Sequence, residues 1–84
     1  MVSLEDIRNI LARNEALAPI AAEIAEDDNL FDKGLDSFGS VQLMLALEEH
    51  FDVEFPDHLL SRKSFSTIRS IRETVSGLVQ AEAA

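Results

Sequence analysis

Residues 37–50, SFGSVQLMLALEEH, decide the fold. Gly39 is the only helix-disfavouring residue in a run rich in Leu, Met, Ala and Glu, so the stretch is expected to be helical. Advancing about 100° per residue, Leu43, Met44, Leu47 and Phe51 fall on one arc, the expected core face. FDVEFP, residues 51–56, ends the helix: Val53 and Phe55 continue it poorly, and Pro56 confines Phe55 to extended backbone.

The same helix carries a second apolar line. With Phe38 set at zero, Leu45 lies at about 340° and Val41 at about 300°, flanked by Gln42 and Glu49, with Glu48 at about 280°. Three aligned apolar side chains bordered by carboxylates form a docking strip for a partner, unless a neighbouring helix or loop covers them.

Working outward, Ser3 and Asp6 open a first helix over about residues 4–14, with Leu4, Ile7, Ile10 and Leu11 at helical spacing. A long connection follows, with a short helical piece expected near Ala21–Ala25 and Leu30 and Phe31 as its anchors in the core. So long a connection in a small domain points to function. Beyond the central helix, residues 57–60 are expected to form a brief helical turn. Ser66 is expected to cap a last helix carrying Ile68, Ile71, Val75 and Leu78. No period-2 pattern and no internal repeat appear. The reading is an all-α single domain over residues 1–84: three main helices plus a short one, with a long first loop.

The 84 residues include no cysteine, so no disulfide or thiolate ligand is available. The first residues lack a signal-peptide pattern, and no run reaches the roughly 20 apolar residues of a membrane span, so a cytoplasmic protein is expected. No dimerising heptad is present, and a monomer is expected. The formal charge of -9 is concentrated: residues 15–57 hold twelve acidic residues against Lys33 alone, while Arg62, Lys63, Arg69 and Arg72 cluster late. Such a field repels nucleic acid and anionic lipid and steers basic protein surfaces toward the middle of the molecule.

Ser37 stands between Asp36 and Phe38 in KGLDSFGS, residues 33–40, at the entrance of the central helix. Taken alone, such a serine is a helix cap. A hydrolase nucleophile is excluded, because Gly34 and Gly39 do not give G-x-S-x-G spacing and His50 and His58 lie beyond the helix body. Calcium is excluded too: aligning either glycine with that of an EF-hand loop puts Phe31 and Lys33, or Gly34 and Phe38, where oxygen ligands belong.

NLFDKGLDSFGSVQLMLALEEHFDVEFPD, residues 29–57, resembles the core of the acyl carrier protein family, in which G-x-D-S-[LF] marks the attachment serine. The resemblance implies a carrier rather than an enzyme, with 4′-phosphopantetheine from coenzyme A esterified to Ser37 by a phosphopantetheinyl transferase. The arm would hold acyl groups as thioesters. It further implies that Gly34 permits the turn before the site, that Asp36 is inspected by partner enzymes, and that Phe38, Val41, Gln42, Leu45, Glu48 and Glu49 form the partner face. Carriers of fatty acid synthesis place acids where Gly39 and Gln42 stand here, so partners of this chain should read more apolar surface. DSFGSVQLMLALEE, residues 36–49, is also similar to stand-alone aminoacyl carrier proteins, which implies an amino acid-activating ligase as the loading partner and an acyltransferase or synthase downstream. A fatty acid, lipid or polyketide cargo is the alternative, and an interaction module in which Ser37 only caps the helix is the alternative of another class.

Overall fold

The computed structural model describes residues 2–83, and it is all-helical: among these residues there is no strand. Helix α1 spans Leu4–Leu11, and Ser3 caps it by accepting the Asp6 amide at 3.1 Å. Ile7, Ile10 and Leu11 are buried. The α-helix ends three residues earlier than its pattern suggests. Arg13 and Asn14 donate to carbonyls three residues back, so the chain tightens into turns that bring Asn14 inward.

Residues 12–36 form the long connection, pinned by Leu17, Ile24, Leu30 and Leu35, each at most 3% exposed. The short helical piece lies at Ala18–Ile20 as a 3-10 turn and not at Ala21–Ala25. Pro19 occupies its first turn, where a missing N–H costs nothing, so the turn forms around the proline and not after it. Arg8 donates to the Ala21 and Ile24 carbonyls at 3.0 and 2.6 Å and holds the connection against α1. Of the expected anchors, Leu30 is fully buried, whereas Phe31 is half-buried beneath the Arg62 guanidinium, 4.2 Å from its ring centroid.

Helix α2 spans Ser37–Phe51. Leu43 and Leu47 are buried, and Met44 and Phe51 pack half-buried against the core. Asp52 stops the helix in the left-handed region (φ 55°), its N–H donating to Glu48 O, before the chain runs out toward Pro56. Two 3-10 turns, Asp57–Leu59 and Arg62–Phe65, fill the place of the fourth, short helix. Phe55 and Phe65 meet edge to face at 5.4 Å beneath them.

Helix α3 spans Ile68–Ala83 and buries Ile68, Ile71 and Val75. Its first turn is capped by Thr67, whose Oγ1 accepts the Ser70 amide at 3.0 Å, and not by Ser66, whose hydroxyl turns back to the Lys63 carbonyl. Ser66 instead accepts the Leu30 amide through its backbone oxygen at 2.7 Å, tying the connection to α3. Arg69 strengthens the tie with two bonds to Asp27, the shorter 2.6 Å, and Arg72 lies 3.7 Å from Glu26. Among the described residues, no helix is long and apolar enough to cross a membrane.

Candidate functional site

The entrance of α2 is built by residues close in sequence and one that is not. Gly34 adopts φ 120°, a region that suits glycine, and turns the chain so that Leu35 enters the core while Asp36 and Ser37 stay exposed. Asp36, not Ser37, caps α2: its Oδ1 accepts the Gly39 amide at 2.6 Å. This corrects the reading of Ser37 as the cap. Ser37 is the first helical residue, exposed, and its hydroxyl has no hydrogen-bond partner among the described residues. The Ser37 and Phe38 amides likewise find no acceptor there, leaving two donors and the positive end of the helix dipole around the hydroxyl.

The residue at a distance is Asn14. Buried to 6% exposure, it donates through Nδ2 to the Gly39 carbonyl at 2.9 Å and accepts the Ala16 amide through Oδ1 at 3.0 Å. It fastens the end of the first helical segment to the first turn of α2. The only sequence signal for it is a polar residue three and four positions beyond Leu11 and Ile10, on the face those residues bury.

The apolar strip is uncovered: Phe38, Val41 and Leu45 are 70%, 51% and 54% exposed. Leu60, 45% exposed in the following connection, adds a fourth large apolar group that the wheel of α2 alone does not reveal. Gln42 and Glu49 are exposed beside the strip. Glu48 differs from them: it is half-buried, and its Oε2 accepts the Phe55 amide at 2.9 Å, so it also braces the exit from α2.

On its other side, Ser37 borders an open cleft of about 350 Å³ between Val41 and Met44 of α2 and Phe31, Leu60 and Arg62 of the connections. Arg62 has no carboxylate partner among the described residues, unlike Arg69 and Arg72. Neither Arg62 nor Leu60 leaves a local sequence signal, since both reach the site through the path of the α2–α3 connection. His50 and His58 are both exposed; His50 lies at the far end of α2, and His58 is in the Asp57–Leu59 turn. The arrangement offers one accessible nucleophilic oxygen without a general base bonded to it, next to anion-binding amides and a surface suited to protein contact.

Comparison with known proteins gives a consistent family. The chain is 54% identical over 69 residues to the aminoacyl carrier protein of Agrobacterium fabrum, covering 82% of this chain and 83% of that one. A chain in the crystal structure of an engineered Bradyrhizobium japonicum glycine:[carrier protein] ligase complexed with carrier protein from Agrobacterium tumefaciens and ATP superposes with a TM-score of 0.82 at 51% identity. It covers 87% of this chain and 95% of the other. The solution structure of a holo acyl carrier protein from Nitrosomonas europaea superposes equally well, with a TM-score of 0.82 at 30% identity over 95% and 99% of the two chains. Residues 5–75 match the model of the phosphopantetheine attachment site family, and with that match the chain belongs to the carrier proteins whose prosthetic group is covalently bound 4′-phosphopantetheine.

Proposed function

We propose that this chain is an aminoacyl carrier whose prosthetic arm is attached through the Ser37 hydroxyl. The observation that carries the reading is the state of that hydroxyl: exposed and without a partner among the described residues, because Asp36 has taken over the capping role. The residues present fit the group. In the transfer the Ser37 hydroxyl would lose its proton to the transferase, its Oγ would replace adenosine 3′,5′-bisphosphate on the phosphorus of coenzyme A, and the unbonded Ser37 and Phe38 amides together with the helix dipole favour the resulting phosphodiester anion. The arm supplies a thiol, on which an acyl group is held as a thioester. Among the described residues no base is bonded to the Ser37 hydroxyl, which leaves activation to the transferase and the loading ligase.

The amino acid cargo rests on likeness: the Agrobacterium fabrum relative is named an aminoacyl carrier protein, and a matching structure is a complex with a glycine:[carrier protein] ligase. Phe38, Val41 and Leu45, with Gln42 and Glu49 at their border, are the face offered to a phosphopantetheinyl transferase, an amino acid-activating ligase and a downstream acyltransferase. Their weakly charged front selects partners that read apolar surface.

Intact mass tests both halves. Incubation with coenzyme A and a transferase should add roughly 340 Da to the wild type, the mass of one phosphodiester-linked arm, and nothing to Ser37→Ala. Supplying the modified protein with ATP, ligase and a mixture of amino and fatty acids should then add one aminoacyl group. Addition of a fatty acyl group instead would overturn the cargo, and an unmodified wild type would overturn the carrier reading at Ser37.

A further inference from the structure

We propose that Arg62 holds the phosphodiester of the prosthetic arm and thereby turns the arm into the cleft between α2 and the α2–α3 connection; this rests on the attachment at Ser37 proposed above. The two sides of Ser37 differ in charge. Asp36 stands next to it, and a phosphodiester formed at Ser37 meets repulsion from that carboxylate. Across the cleft that Ser37 borders stands Arg62, exposed and without a carboxylate partner among the described residues. Its guanidinium lies over the Phe31 ring at 4.2 Å. Stacking engages the face of the guanidinium and leaves its in-plane N–H groups to make paired hydrogen bonds to phosphate oxygens. The aromatic support holds the cation at the cleft and reduces the rotamer freedom lost on binding.

The cleft also offers apolar and hydroxyl side chains to the groups of the arm. Next to the phosphate, pantetheine carries a carbon with two methyl groups, then two amides and the thiol. Besides Arg62 the cleft is lined by Val41, Met44 and Leu60, of which Val41 and Leu60 are about half exposed as the chain stands, and by Ser40 and Ser61. Seating the methyl groups there covers apolar surface that is otherwise in water. In this arrangement Arg62 is a positioning residue: it sets the direction in which the thiol is presented and takes no part in the chemistry.

The isolated holo protein tests this without any partner enzyme. Nuclear Overhauser contacts from the arm's geminal methyl protons to the Val41 and Met44 methyl groups are expected in the wild type, with amide shift changes between apo and holo forms at residues 60–65. Arg62→Gln should lose most of that intensity and those shifts, and Arg62→Lys should keep part of both. The apo spectra of the variants should match the wild type away from residues 31 and 60–65. A holo wild type whose methyl signals coincide with those of free pantetheine, or an Arg62→Gln holo protein with undiminished contacts, would overturn the proposal. A failure of the wild type to gain the arm's mass would instead remove the attachment itself, so the two readings fail by different observations.

Discussion

Asp36 Oδ1 accepts the Gly39 amide at 2.6 Å, and a Cβ placed on Gly39 would lie 3.0 Å from that same oxygen and 3.0 Å from Leu35 Cδ1. The cap and the glycine are therefore linked: a side chain at position 39 would press on the capping oxygen and on Leu35, which would have to give by a few tenths of an ångström. Gly77 in α3 is the contrast, since a Cβ there meets nothing within 4 Å. Gly77→Ala should stabilise the protein by about 1 kcal/mol through helix propensity alone. Gly39→Ala should gain nothing or lose stability, because the propensity gain is offset by displacement of the Asp36 cap. Denaturant midpoints of the two variants decide the matter, and equal gains would show that the entrance has slack.

Asn14 carries the link from the first helical segment to α2, and its two bonds are both to backbone. Asn14→Ala leaves the Ala16 amide without its acceptor and opens a small void, which should cost about 1–3 kcal/mol in the denaturant midpoint. Hydrogen exchange adds the location: the amides of the first turns of α2 should lose protection first. A uniform loss across all three helices would mean that Asn14 acts only as core filling.

The contrast between Asn14 and Ser37 shows what a linear pattern reveals. Helix α2 is legible because helix-forming residues run from 37 to 50 with Gly39 as the one interruption, and the candidate site is legible because Gly34, Asp36, Ser37 and Phe38 are neighbours in the chain. Local signals failed by one residue where two hydroxyls compete, as at Ser66 and Thr67, or where the adjacent carboxylate wins, as at Asp36 and Ser37. The partners of contacts made across a large sequence separation are not legible: Asn14 to Gly39 spans 25 residues and Arg69 to Asp27 spans 42. Such pairs are fixed by the path of the connections, which depends on how the whole core closes, and no short window contains that information.

The Asp27–Arg69 pair predicts a pH dependence with a definite sign. The Arg69 hydrogen bonds, and then its charge, hold the Asp27 carboxyl below its usual 3.8, while Asp27 raises the guanidinium. A carboxyl lowered in the folded state contributes stability above its unfolded value, lost as pH falls through the folded one. Unfolding midpoints of the wild type and Arg69→Met should therefore differ by a constant amount at neutral pH, and the gap should narrow below about pH 4. Both groups are exposed, so the gap should also shrink in 1 M salt. A gap indifferent to pH and salt would mean that the Asp27 charge has no part in the effect of Arg69.

Phe38 is the most exposed large apolar side chain described, at 70%, and it stands one residue from Ser37. Its removal cannot cost much folding energy, because little of it is buried: Phe38→Ala should leave the unfolding free energy within about 0.5 kcal/mol of wild type. If Phe38 is instead kept exposed for partner contact, truncation should appear in encounters with the loading ligase. There, a central apolar contact is worth about 1–2 kcal/mol, or roughly tenfold in kcat/KM measured against carrier concentration. The loss should fall in KM, since the contact would serve docking of the carrier and not the chemistry at the thiol. Leu45→Ala, farther along the strip, should lose less, and Glu49→Gln should change mainly the salt dependence of the rate. A Phe38→Ala protein that keeps its fold and loads at the wild-type rate over the whole range of carrier concentrations would remove this face from ligase recognition and leave the uncovered strip without that role.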